Sequence, residues 1–177
     1  MFTEKEETVI HQITNRVQQL RQVLTKQQIP EGEDVLSWYQ FLAEVKKVQG
    51  NLNNDLSFVA TLMVKQFLDR NFEITSFDAA KKAQGAPGLD IDVYTKDNVR
   101  IVGEIKTTYP YGENDLGANQ QKSFKQDFSK LHTAQADFKF FFLTEKRTFD
   151  LMKMEKYKCQ ISGVQVVLLT TEEQFTA

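Results

Sequence analysis

The stretch Gly85-Ala-Pro-Gly-Leu-Asp-Ile-Asp-Val-Tyr-Thr-Lys-Asp-Asn-Val-Arg-Ile-Val-Gly-Glu-Ile-Lys106 decides how this chain is read. Two short apolar runs, residues 89–95 and 99–107, flank the polar and turn-prone Thr95-Lys96-Asp97-Asn98. That pattern predicts an antiparallel hairpin. Side chains alternate between the faces of a strand. Asp90 and Asp92 therefore share a face of the first run, and Glu104 and Lys106 share a face of the second. The hairpin can bring a carboxylate from each strand to one point, with an ammonium beside them.

Upstream of the hairpin the hydrophobic period is helical. Residues 4–26 carry Val9, Ile10, Ile13, Val17, Leu20 and Leu24 at that spacing. Residues 28–34 read as a linker, with Asp34 placed to cap a second helix running to about Val48. Asp55 then leads a third helix, whose predicted apolar face is Leu56, Val59, Ala60, Met63, Val64 and Phe67. Past Asn71 the period changes, and Phe72, Ile74 and Phe77 predict a short strand before a Gly/Pro loop at 85–88.

Downstream, residues 109–117 form a long polar loop, and 119–136 a helix with Phe124, Phe128 and Leu131 on one side. The run Phe138-Lys-Phe-Phe-Phe-Leu-Thr144 is almost continuously apolar, as a central strand is. A helix over 146–158 and a strand over 164–170 complete an order of three helices, then β-β-β-α-β-α-β. The expected fold is one α/β domain over 1–177: a helical region at 1–70, then a core at 71–170 with a mixed sheet of about five strands and helices on both faces.

A chain of 177 residues, 41% apolar and 26% charged, has the length and composition of one globular domain. No apolar run approaches the roughly 20 residues of a membrane span. The first residues are polar and acidic, unlike a secretory signal. These features point to a cytoplasmic chain with no membrane partner. The single cysteine, Cys159, excludes an internal disulfide and a cysteine-ligated zinc cluster, and reads as a small half-buried apolar residue. Trp38 and the phenylalanines read as core. A net charge of -2 is not that of a strongly basic nucleic-acid binder. The charge is uneven, however: residues 121–160 hold nine lysine and arginine side chains against five carboxylates.

Asp92, Glu104 and Lys106 on a hairpin, followed by helix, strand, helix and strand, resemble the PD-(D/E)xK nuclease superfamily. The resemblance covers about residues 55–170. It lacks the literal Pro-Asp pair, because Pro87 and Asp90 are separated. It implies a restriction-endonuclease-like sheet and a bound Mg²⁺. By that resemblance Asp92 is the principal metal ligand with Glu104, the Ile105 carbonyl is a third ligand, and Asp90 is a supporting acid. Lys106 would orient the attacking water and stabilise charge developing on phosphorus. Relatives often add an acid from the helix before the first strand, for which Asp55 and Asp69 are the candidates.

Asn119, Gln120, Gln121, Lys122 and Lys125 open the helix after the Glu-x-Lys run and are the expected DNA contacts, with Lys122 the first choice for a phosphate. His132 lies near that helix's end, where it reads as a C-terminal cap. The function implied is a Mg²⁺-dependent, sequence-specific endonuclease for double-stranded DNA, a type II restriction enzyme acting as a homodimer through its N-terminal helices. A repair, junction-resolving or mobile-element nuclease of the same fold is the alternative. A non-catalytic DNA- or protein-binding module is a third reading.

Overall fold

The computed structural model describes residues 1–32, 34–82 and 86–177. Glu33 of the linker and Gly85 of the Gly/Pro loop lie outside the described residues. The chain divides into two compact units, Met1–Asp55 and Leu56–Ala177, where the sequence predicts one domain with its helical region ending at residue 70.

The first unit holds α1 (Glu4–Lys26), α2 (Val35–Gln49) and the start of α3 (Leu52–Asn71). Thr3 caps α1 through a reciprocal pair: Glu6 N donates to Thr3 Oγ1 at 3.2 Å, and Thr3 N donates to Glu6 Oε2 at 2.9 Å. Asp34 caps α2 as expected, accepting from Ser37 N at 3.1 Å. Asp55 does not lead α3: Asn51 stands before the helix and accepts from Asn54 N at 3.3 Å. Trp38 is half-buried rather than core, donating through Nε1 to the Gly32 carbonyl at 3.3 Å.

The second unit is built on a five-stranded mixed sheet in the order β1-β2-β3-β4-β5. Its strands are β1 (Ile91–Tyr94), β2 (Arg100–Lys106), β3 (Phe138–Leu143), β4 (Gln165–Leu168) and β5 (Glu173–Thr176). The two central pairings, β2–β3 and β3–β4, are parallel, and the edge strands β1 and β5 run antiparallel to their neighbours. The predicted hairpin is β1–β2. Its turn places Asn98 at φ 61°, a left-handed conformation that asparagine tolerates.

On one face, α4 (Ala118–Thr133), α5 (Lys146–Met152) and α6 (Glu155–Lys158) bury Phe124, Phe128 and Phe149 against Phe141 and Val166. On the other, α3 packs Val64, Phe67 and Leu68 on Ile101, Phe140 and Phe142. Of the predicted α3 face, Leu56 and Val59 are exposed instead.

Five strands are found, but not the five expected. Residues 72–77 make only an isolated bridge, Ile74 to Thr95. There the chain turns away as Asp78 Oδ1 accepts from Ala80 N at 2.9 Å. β5 takes the fifth place. It was hidden because its hairpin turns through Glu172 at φ 61°, without the Gly or Asn that normally marks such a turn. The helix expected over 146–158 breaks at Lys153–Met154 into α5 and α6. Cys159 is exposed, not half-buried. Among the described residues no helix is long and apolar enough to cross a membrane.

Gly103 keeps β2 close to its neighbour. A Cβ there would lie 3.0 Å from Phe142 Cε2 and 3.4 Å from the Phe140 carbonyl oxygen. Gly103→Ala is expected to destabilise the chain by about 1–3 kcal/mol, the range for overpacking a filled core. A lowered denaturant midpoint at unchanged slope would show it.

Candidate active site

The β1–β2 register pairs Ile91 with Gly103 and Asp92 with Val102. Continued by one residue, it sets Asp90 opposite Glu104. Directly opposed residues of an antiparallel pair share a face. Asp90, Asp92, Glu104 and Lys106 therefore do lie on one face, the face that α4 covers. They do not all meet.

Asp92 is turned to Arg100, accepting from Nε at 3.0 Å and Nη2 at 2.8 Å. Arg100 is held in turn by the Gln135 carbonyl at 2.9 Å. The carboxylate that neighbours Glu104 is Asp90, whose Oδ2 accepts from Ile105 N at 3.0 Å. Within a strand the N–H and C=O of one residue leave the same edge. The Ile105 carbonyl thus faces the Asp90 side of β2, while its side chain packs into the opposite core.

Glu104 is buried at the centre of the cluster, its side chain 2% exposed. Lys130 of α4 donates to both of its oxygens, at 3.1 and 3.2 Å, and to Asp127 Oδ1 at 3.1 Å. Lys106 Nζ lies 2.6 Å from Asp127 Oδ2 and donates to Ser123 Oγ at 2.9 Å. Asp127 is buried, and its Oδ2 has the Lys106 ion pair but no aligned hydrogen bond. Two lysines and three carboxylates thus form one group, with α4 supplying Ser123, Asp127 and Lys130.

Those three residues were not singled out from the sequence. The signal was present: 123, 127 and 130 stand at i, i+4 and i+7, a polar row each one residue before the apolar row of Phe124, Phe128 and Leu131. Such a row borders the buried face, and here it lies over the Glu104 and Lys106 end of β2.

Burial, then the Asp90 and Asp127 carboxylates, push the Glu104 carboxyl up to about 8, against the pull of Lys130. Burial lowers the Lys130 ammonium, but its bonds to Asp127 and Glu104 outweigh that and leave it raised. Native Glu104 gives up its proton at higher pH than the unfolded carboxyl, at 4.5, and Lys130 pairs with the charge that forms, so stability falls as pH rises from about 4.5 to about 8. The thermal midpoint of the chain in EDTA is expected to decline across that window, and Glu104→Gln to flatten the decline. A wild-type midpoint that is level over the window would refute this.

The donor set suits a hard divalent cation such as Mg²⁺: the Asp90 and Glu104 carboxylates and the Ile105 carbonyl are all oxygen, and crowded carboxylates gain from a cation between them. Among the described residues no three His, Cys, Asp or Glu side chains form a ready metal-ligating group. The fit therefore rests on two carboxylates and a carbonyl, with water completing the shell as Mg²⁺ ordinarily requires.

The expected DNA contacts divide. Lys122 and Lys125 are exposed, and with Ala118, Gln121, Gln126 and Ser129 they line a shallow surface depression along α4. Asn119 is exposed in the first turn. Gln120 is buried: its Oε1 accepts from Gly117 N at 2.9 Å and Tyr111 N at 3.2 Å, and its Nε2 donates to the Tyr109 carbonyl at 2.8 Å. Gln121 likewise donates to the Leu116 carbonyl at 2.8 Å. Both glutamines anchor the 109–117 loop, and Gln121 also borders the depression that Lys122 and Lys125 line.

That loop is further held by Arg147, which donates to the Gly112 carbonyl at 2.8 Å, and by Tyr157 Oη, which donates to Asp115 Oδ1 at 2.5 Å. Tyr109 and Tyr111 remain exposed on it. Asp55 is bonded to Arg16 within the first unit, and Asp69 is exposed on α3; neither joins the cluster. His132 Nε2 donates to the Gln160 carbonyl, 2.7 Å away, and has no part in the group.

Comparison of the chain with protein-family models, with curated proteins and with solved structures finds no match in any of the three.

Proposed function

We propose that this chain is a Mg²⁺-dependent nuclease that hydrolyses phosphodiester bonds of double-stranded DNA, in the manner of a type II restriction endonuclease with a restriction-endonuclease-like core. The observation that carries the reading is the buried group beneath α4 where β1 and β2 meet: Asp90 lies opposite Glu104, and Lys106 is linked to Glu104 through Asp127 and Lys130. Burying a carboxylate as deeply as Glu104 is unfavourable, and such groups concentrate at functional sites.

Asp90, Glu104 and the Ile105 carbonyl would hold Mg²⁺, which when bound acidifies water and offsets phosphate charge. In this reading the ligand role that the sequence resemblance gives to Asp92 passes to Asp90, and Asp92 fixes Arg100. Lys106, held by Asp127 and Ser123, presents an ammonium beside the reacting phosphate and stabilises its growing negative charge. Lys122 and Lys125 draw in the DNA backbone. Tyr109 and Tyr111 supply rings that can stack on or line a groove.

A second copy is the proposed partner, since two-fold symmetry suits cutting both strands. Val17, Leu24, Val35, Leu36, Tyr39 and Leu42 are exposed on α1 and α2 and support an interface there.

The test is incubation of the purified chain with long mixed-sequence duplex DNA and Mg²⁺, with EDTA as the control. Discrete fragments that disappear in EDTA support the reading. Cutting confined to branched DNA or to ends would favour a repair nuclease. Intact DNA of every form would defeat the nuclease reading.

A further inference from the structure

Lys130 occupies the place on Glu104 that a cation would need. Its Nζ donates to both Glu104 oxygens and to Asp127 Oδ1, so its three N–H groups are all engaged. Glu104 has almost no surface of its own left open. Lys106 is differently placed: it pairs with Asp127 and Ser123 and is only 19% exposed. The Lys130 side chain is 40% exposed, so of the two lysines it has the wider path to solvent.

We infer that, on the nuclease reading above, Lys130 is a resident counter-ion that must leave Glu104 before a divalent cation binds there, and that the departing ammonium becomes a contact for the DNA phosphate. Two cations cannot share one buried carboxylate without strong mutual repulsion. The lysine stem is flexible and its ammonium compact, so it can swing outward with α4 unmoved. A phosphodiester arriving at the site is the anion that would receive it. Gln126, one helical turn before Lys130, already borders the surface that carries Lys122 and Lys125.

Metal and DNA are then coupled through one side chain. DNA that draws Lys130 away tightens cation binding, and by linkage the cation tightens DNA binding by the same factor. Lys130 is thus a gating and phosphate-contacting residue for the site, a role its position on the helix alone did not announce.

The experiment is Mn²⁺ binding, read from the electron paramagnetic resonance signal of free Mn²⁺, on the full chain and on Lys130→Met and Lys130→Gln. Without DNA, both variants are expected to bind Mn²⁺ about tenfold more tightly than the wild type. Adding a short mixed-sequence duplex should tighten binding for the wild type and leave the variants unchanged. Because removing Lys130 leaves Glu104 and Asp127 facing each other, folding is bypassed by a second measurement on the unmodified chain. In the side-chain ¹⁵N spectrum of its lysines, the Lys130 ammonium should shift with Mg²⁺ while that of Lys106 stays. Equal Mn²⁺ affinity in wild type and variants, or a Lys130 signal unmoved at saturating Mg²⁺, overturns the inference while leaving any observed DNA cleavage standing. Absence of Mn²⁺ binding in every protein, together with uncut DNA, defeats the nuclease reading and this inference with it.

Discussion

Lys106→Ala is expected to lower the single-turnover rate of DNA cleavage by about 10²–10³-fold, the usual loss when one preorganised charge partner of a transition state is removed. Binding of duplex in EDTA should change little, because Lys106 is 19% exposed and faces the cluster rather than the surface. Lys106→Arg is expected to fail almost as badly. The ammonium sits 2.6 Å from Asp127 Oδ2 and 2.9 Å from Ser123 Oγ, a space measured for a compact charge and not for a planar fork. Asp127→Asn tests the positioning side of the same arrangement. Amide for carboxylate keeps the volume but removes the charge that fixes Lys106, and a displaced catalytic group loses about 10²-fold. Cleavage by Lys106→Ala at the wild-type rate would remove Lys106 from the reaction, and normal cleavage by Asp127→Asn alone would leave Lys106 catalytic but positioned by something else.

The hairpin, the central Phe138–Leu143 strand and the helices on either side were legible because their patterns are local. An alternating run, a continuous apolar run and a 3.6-residue stripe each identify themselves within a few residues. The first of these also placed Asp90, Asp92, Glu104 and Lys106 on one face, as the register shows. What the pattern did not settle was which aspartate meets Glu104. Two residues two apart on a strand are equivalent in face and differ only in register, and register depends on where the turn closes. It also depends on a competitor: Arg100 lies at a position from which its guanidinium takes Asp92. The α4 contribution was hidden for a different reason. Ser123, Asp127 and Lys130 acquire their meaning only when α4 is laid across β2, a tertiary fact with no local trace beyond an amphipathic border. The failure at β5 was one of turn chemistry, since Glu172 adopts a conformation that its residue type rarely takes.

The two aspartates offer the sharpest comparison. Asp90→Asn is expected to reduce cleavage by about 10²-fold or more and to weaken Mg²⁺ dependence, since it removes the charge of a proposed metal ligand set opposite the buried Glu104. Asp92→Asn should leave the rate within about threefold of wild type. Its side chain is 43% exposed and its charge serves Arg100, an exposed pair of the kind that contributes about 0.2–1 kcal/mol to stability. Asp92→Asn should therefore register as a small fall in denaturant midpoint, and Asp90→Asn as a loss of turnover. A second distinction lies in the Glu104 carboxyl. Asp90 is among the charges that push it up and Asp92 is not, so Asp90→Asn should lower the upper edge of the pH window over which stability declines, and Asp92→Asn should not. The reverse order, with Asp92→Asn inactive and Asp90→Asn active, would return the metal to Asp92. It would also require the Arg100 pair to open during catalysis, because both Asp92 oxygens are committed to that guanidinium.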